Sequence, residues 1–343
     1  MTDRPVRALV TGAAGQDGVL LSRLLVAEGS RVVGLVRTHQ GARRLKALVP
    51  QAELTVGDIA DEDLLRAVVM RYRPDEIYNL AGFSSVAKSW ASVAEVLRHN
   101  LIAVAQLLEI VREQHEAGQA IRYYQASSSE VYGLAEERPQ TEATAHHPRS
   151  PYGVAKSAAQ NLTRNYRESY GLFTCSGILY NHESPLRPTS FVTRKITQGV
   201  SRIARGMADH LVLGRTDGSR DWGWAPDYVL AMRAMLRRDE PEDFIIASGL
   251  AHDLADFLDL AFRAVGVDQW TGLVESDPTL QRPAEVAGLV GDASSAHRKL
   301  GWQTTRSLDE IVTAMVLHDL QCLDGGPDDL GWLGSWPDWS GGP

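Results

Sequence analysis

Tyr152 and Lys156 lie four residues apart in S-P-Y-G-V-A-K-S. On a helix that spacing puts a phenol and an ammonium on one face. A free tyrosine has a pKa of about 10 and is a poor base at neutral pH. A neighbouring cation favours the phenolate. Bringing the phenol near neutrality takes roughly 4 kcal/mol of differential interaction. A tyrosine tuned in this way can take a hydroxyl proton while hydride leaves the same carbon. The pair is also common in ordinary helices, as a core tyrosine beside a surface lysine. Its meaning depends on the residues that precede it.

Those residues read as repeated strand-then-helix units. Arg7 to Val10 is a β-rich run leading into T-G-A-A-G-Q-D-G, and an apolar helical pattern continues to Gly29. The glycines let backbone approach a pyrophosphate, and a helix N-terminus favours the anion. The spacing Gly12-x-x-Gly15-x-x-Gly18 differs from the commonest dinucleotide fingerprint. Gln16 and Asp17 fall inside the same turn. Arg31 to Val36 predicts a second strand ending at Arg37, and no acid occurs between Arg31 and Gln51. An arginine there suits a 2′-phosphate, whereas an acid would suit free ribose hydroxyls, so NADP is expected over NAD.

Glu53 to Val56 then leads to Gly57, Asp58 and Ile59, expected near the adenine. Glu76 to Leu80 leads to Ala81, and Ile121 to Ala126 leads to Ser128 and Glu130. Strands alternating with helices predict a doubly wound parallel sheet. Ligands bind at the carboxyl ends of such strands, where these residues fall.

The bulk numbers narrow the class. A chain of 343 residues with 44% hydrophobic content allows a large nucleotide domain and a smaller one. A net charge of −8 argues against non-specific nucleic-acid binding. No apolar run approaches the roughly 18 residues of a membrane span, and the N-terminus has no signal-peptide pattern. Two cysteines, Cys175 and Cys322, do not suggest a disulfide framework. A soluble cytoplasmic enzyme is expected. No Cys/His cluster has metal-ligand spacing, and His146-His147 reads as polar loop. From Asp324 the chain is rich in Gly, Pro and Asp, with Trp332, Trp336 and Trp339. It is expected to be irregular.

Several stretches go beyond a generic nucleotide fold. The T-G-x-x-G-x-x-G turn with Y-x-x-x-K resembles the extended short-chain dehydrogenase/reductase superfamily. Within it, G-Q-D-G, P-D-E-I-Y-N-L-A, Y-Q-A-S-S-S-E-V-Y-G, N-H-E-S-P, F-V-T-R-K-I-T, R-D-W-G and R-P-A-E-V resemble the GDP-mannose 4,6-dehydratase family over about residues 6 to 320. The resemblance implies a doubly wound parallel Rossmann sheet with a smaller mixed α/β substrate domain. The expected division is residues 1–178 for the cofactor, with 223–249 returning to it, 179–325 mainly for the nucleotide sugar, and 326–343 as the tail.

The resemblance also implies roles. Tyr152 takes the C4 hydroxyl proton, Lys156 supports it, Ser128 hydrogen-bonds the sugar, and Glu130 serves the C5/C6 elimination. His182 and Arg187 match cofactor contacts. Ser84, Asn181, Val192, Lys195, Arg220, Arg282 and Glu285 match substrate contacts. Lysine and arginine suit a diphosphate, and glutamate suits a guanine edge. A homodimer or homotetramer is implied.

Three departures stand out. Phe83 and Ser85 replace the family's Gln and His, which opens the question of the exact hexose. Trp224 stands where the family has His. The loop around Thr38 to Ala42, which in the family reaches a neighbouring subunit, is short here, so a tetramer is less firmly implied. A related GDP-hexose or heptose dehydratase, a nucleotide-sugar epimerase or decarboxylase, and an NADP-binding regulator remain open. Retention of Ser128, Glu130, Tyr152 and Lys156 argues against the regulator.

Overall fold

The computed structural model describes residues 4–214, 218–277, 288–334 and 336. Six strands come first: β1 (Arg7–Thr11), β2 (Arg31–Val36), β3 (Glu53–Val56), β4 (Glu76–Asn79), β5 (Arg122–Ala126) and β6 (Thr174–Leu179). Six more come after them: β7 (Asn181–Glu183), β8 (Leu211–Leu213), β9 (Ser219–Trp224), β10 (Phe244–Ile246), β11 (Ala251–Asp253) and β12 (Val274–Ser276). β2 and β3 keep the bounds read from sequence, while β1, β4 and β5 differ from it by one residue at one end.

The main sheet has the order β10-β6-β5-β4-β1-β2-β3, with neighbouring strands parallel. The chain runs from β1 outward to β3, then crosses to β4 on the other side of β1. That reversal opens a crevice at the carboxyl ends of β1 and β4, where open α/β sheets bind ligands.

Strand residues alternate between two apolar layers. Ala8, Val10, Tyr78 and Tyr124 pack into the core on one face, and Leu9, Ile77 and Tyr123 into the core on the other. A sheet covered by helices on both faces buries both sets, so its strands read as nearly continuous apolar runs.

The returning segment supplies the helix Ala225–Leu236, packed on the helix Gln16–Ala27, and β10, paired in parallel with β6. The rest of the C-terminal half forms a smaller mixed unit. β7 lies parallel to β9, β11 antiparallel to β9, and β8 parallel to β12. The helices Val192–Ala204, Leu254–Arg263 and Leu308–Leu323 enclose an apolar core of Ile196, Val200, Phe257, Leu258, Val312 and Val316. A buried Arg194–Asp319 ion pair ties the first of these helices to the last.

Past Leu323 the chain turns back onto the body. Leu330 and Leu333 are buried in the main core, and Trp332 meets Trp224 edge-on with centroids 5.2 Å apart. The Trp224 substitution thus sits under the tryptophan-bearing tail. Trp339 lies outside the described residues. Among the described residues, no helix is long and apolar enough to cross a membrane.

Candidate active site

Two adjoining cavities of about 480 Å³ and about 370 Å³ occupy the carboxyl edge of the sheet. Asp17, Leu80, Gly82, Phe83, Ser84, Arg187 and Phe191 line both, so the two form one continuous groove.

The smaller cavity is floored by the glycine turn. Gly12 has φ +66°, and a β-carbon there would come within 2.9 Å of the Ala81 backbone. At Gly18 it would sit 2.4 Å from the Gly12 carbonyl oxygen. Both positions therefore require glycine. Gly15 caps the next helix with no side-chain hydrogen bond, which leaves first-turn N–H groups for an anion.

Thr11 locks β1 to β4. Its hydroxyl donates to Asn79 Oδ1 at 2.6 Å and accepts from the Leu80 and Ala81 amides, each at 3.1 Å. Gly12, Gly15, Gln16, Asp17, Gly18, Arg37, Asp58, Ile59, Leu80 and Ala81 all line this cavity. Arg37 is exposed at its rim. At Asp58, burial works to raise the carboxyl pKa. The Ala60 amide and His99, whose Nε2 is 3.0 Å away, outweigh it and leave the carboxyl below its ordinary value.

The larger cavity is lined by the candidate acid–base residues Ser128, Glu130, Tyr152 and Lys156. Ser150 caps the helix Pro151–Tyr170 by accepting from the Gly153 amide at 3.0 Å, and Pro151 opens its first turn. The cap aims Tyr152 and Lys156, both buried, into the cavity. Ser128 and Glu130 arrive from the turn after β5, where Ser128 Oγ accepts from the Glu130 amide at 3.3 Å. Tyr152 hydrogen-bonds Ser128.

The expected tuning of the phenol by Lys156 is corrected here. Burial pushes the Tyr152 phenol up to about 12; the Ser128 hydrogen bond and the Arg187 charge oppose this, while Glu130 and Asp17 add to it. Lys156 is lowered by burial to about 8, and its ammonium donates to the Ala126 carbonyl at 2.7 Å. The i, i+4 spacing brings the pair together, but the dry site disfavours both charged forms. Lys156 by itself does not bring the phenol near neutrality.

Stability inherits a pH dependence from this burial. A lysine whose pKa falls on folding binds fewer protons in the native than in the unfolded state between pH about 8 and about 10.5, so stability rises with pH through that window. The contribution is about 3 kcal/mol, unfavourable below pH 8. Lys156→Met is expected to lack this rise, to melt no lower than the parent at pH 7, and to lose most turnover. Thermal melts of both proteins across the window check it; parallel pH profiles would refute it.

Arg187 lines both cavities, whereas His182 lines the larger one and reaches Asp17, which is shared by the two. His182 Nδ1 donates to the Tyr180 carbonyl at 2.7 Å, Nε2 faces Asp17 at 3.0 Å, and the ring stacks on Tyr228. Gln16 donates to the His182 carbonyl and accepts from Ser184. Burial works to raise the Asp17 carboxyl, but His182, Gln16 and Arg187 together hold it below its ordinary value. Arg187 lies over the Phe191 ring at 3.9 Å and near Glu183 at 3.4 Å. Ser84, Asn181, Val192, Lys195 and Arg220 line the larger cavity. Arg282 and Glu285 lie outside the described residues.

Sequence reasoning missed two positioning residues. His99 and Asn100 sit in a π-helical turn, Arg98–Ile102. His99 faces Asp58. Asn100 grips the Phe83 backbone from both sides, accepting from its amide at 2.7 Å and donating to its carbonyl at 2.9 Å. L-R-H-N-L-I-A reads as ordinary helix, and such a bulge is decided by neighbours far along the chain.

The GDP-mannose 4,6 dehydratase family model matches residues 9–315. GDP-mannose 4,6 dehydratase 1 of Arabidopsis thaliana is 44% identical over 332 residues, covering 92% of this chain and 90% of its own. The GDP-mannose 4,6-dehydratase of Vibrio cholerae serotype O1 is 40% identical over 349 residues, covering 92% and 93%. The human GDP-mannose 4,6 dehydratase is 38% identical over 347 residues, covering 94% and 93%. Among solved structures, a Thermotoga maritima UDP-glucose 4-epimerase with UDP-glucose superposes with TM-score 0.82 at 24% identity, covering 93% of this chain and 100% of that one. The Pseudomonas aeruginosa RMD complexed with NADPH gives 0.74 at 23%, covering 93% and 98%. At such identities the structural likeness carries the fold.

Proposed function

The chain belongs to the GDP-mannose 4,6-dehydratase family, and from that membership we propose that it converts GDP-D-mannose to GDP-4-keto-6-deoxy-D-mannose and water, using NADP. The observation that carries this reading is the convergence of Ser128, Glu130, Tyr152 and Lys156 in a cavity continuous with a dinucleotide groove. The glycine-only contacts at Gly12 and Gly18 and the open helix N-terminus suit a pyrophosphate, so the groove fits the cofactor. Arg37 at its rim, with no acid on β2, favours a 2′-phosphate.

A nicotinamide cofactor held by the Gly12–Gly18 turn and Arg37 would supply reversible hydride chemistry for C4 and C6. The protein's own residues move protons. Tyr152 Oη accepts the C4 hydroxyl proton, supported by the Ser128 hydrogen bond and by the positive charges of Lys156 and Arg187. The C4 ketone acidifies C5. The Glu130 carboxylate takes the C5 proton and delivers it to the C6 hydroxyl, which leaves as water; the same group serves as base and then acid. Lys195 and Arg220 suit the diphosphate. Phe83 presents an apolar wall to both cavities where the family has Gln, which favours, as a second reading, a related GDP-hexose or heptose.

The free thiols Cys175 and Cys322 suit a cytoplasmic enzyme. Exposed Val93 and Ile102 offer apolar surface to a homodimer or homotetramer.

The test is mass spectrometry of the nucleotide sugar after incubation with GDP-mannose and catalytic NADP, with NAD in parallel. Loss of one water, faster with NADP and without net cofactor reduction, is the expected result. An unchanged mass would overturn the mannose assignment and move the search to a panel of GDP-, UDP- and dTDP-sugars.

A further inference from the structure

Away from the groove, the helix Leu308–Leu323 carries His318 and Cys322 one turn apart on one face. Asp328, from the turn just beyond the helix, reaches the same point. His318 Nε2 lies 3.2 Å from Asp328 Oδ1 and 3.5 Å from Cys322 Sγ. One ligand atom from each of the three lies within 4.8 Å of the other two.

Tetrahedral zinc binds nitrogen and oxygen at about 2.0–2.2 Å and sulfur at about 2.3 Å. Those bond lengths place nitrogen about 3.3 Å from oxygen and about 3.6 Å from sulfur. The two separations measured from His318 are therefore those of vertices around one ion. His318 is buried and its position set by packing, while the Asp328 side chain is 80% exposed, so the cluster has a fixed inner ligand and an approach from solvent.

We propose that His318, Cys322 and Asp328 form a structural site for a thiophilic divalent cation of the zinc class, with water in the fourth position. Thiolate and imidazole select zinc-like ions over magnesium or calcium. Cys322 binds as thiolate, its proton passing to solvent. None of the three residues lines the active groove. Asp328 opens the segment whose Leu330 and Leu333 enter the main core, so the cation ties the tail to the helix. The same helix holds Asp319 against Arg194 on the helix bearing Val192 and Lys195. No Cys/His spacing announced this site because its third ligand comes from a turn beyond the helix.

The test uses untagged full-length protein dialysed against chelator and titrated with Co²⁺, then Zn²⁺. One equivalent of Co²⁺ is expected to bind with a thiolate-to-cobalt charge-transfer band that Zn²⁺ abolishes, and Zn²⁺ should raise the melting temperature. Cys322→Ser should lose the band and the thermal shift while keeping its turnover. Asp328→Asn, altered at an exposed side chain, should bind more weakly. Absence of the band in the parent protein, or equal Zn²⁺ affinity in parent and both variants, would overturn the proposal and leave a histidine–aspartate pair beside a thiol.

Discussion

Tyr152→Phe is expected to lower turnover by about 10²- to 10⁴-fold, the range over which a positioned acid–base group contributes. The substitution removes one oxygen from a buried ring and leaves its packing in place. Its hydrogen-bond partner Ser128 still accepts from the Glu130 amide, and its hydroxyl hydrogen, freed from Tyr152, faces the open cavity where water can accept it. Melting temperature and NADP affinity should therefore stay near those of the parent protein. Steady-state kinetics beside a cofactor titration separates the outcomes. Full turnover in the variant would remove Tyr152 from proton transfer. A matching loss of cofactor affinity would make it a binding residue instead. Because burial holds the phenol at about 12, proton transfer depends on the positive charge around it, and Arg187→Met should slow the same step by a smaller factor.

The second large effect belongs to Glu130. Glu130→Gln keeps size and hydrogen-bonding capacity but cannot take the C5 proton. Turnover should fall by about 10²- to 10⁴-fold, and the block should come after C4 oxidation. Rapid-quench mass spectra should then show sugar nucleotide lighter by one H₂, with the C6 hydroxyl intact, in amounts up to the enzyme concentration. Unchanged turnover would end the role assigned to Glu130. A block before oxidation would place the carboxylate with Ser128 and Tyr152 at C4. Removing its charge also relieves one influence that raises the Tyr152 pKa, so C4 oxidation should not slow.

The nucleotide half was legible in the sequence because its signals are local. Gly12 and Gly18 mark backbone that no side chain can share, and the strand–helix alternation sets a parallel sheet whose carboxyl edge must collect the residues just past each strand. That is why ten residues named from Gly12 to Ala81 line one cavity. Tyr152 and Lys156 were read from their four-residue spacing alone, and the structure sets them on a helix that Ser150 caps and Pro151 opens. The Lys156 effect on Tyr152 was misread because spacing reports direction and not dielectric. Only burial, set by the whole fold, fixes the energy of a charge.

Positions set by contacts between distant segments could not be read from local pattern. The π-helical turn that turns Asn100 onto Phe83 and His99 onto Asp58, the Asp17–His182 contact across 165 residues, and the Trp224–Trp332 contact each need a partner far along the chain. So does the cluster that brings Asp328 beside His318 and Cys322. Local composition governs φ/ψ preference and the periodicity of burial, and these were enough for a parallel sheet, the glycine turn and the helix that carries Tyr152 and Lys156; the strand order came only with the fold. Charge state, cavity shape and ligand clusters depend on which surfaces meet, and that is settled only when the cores close.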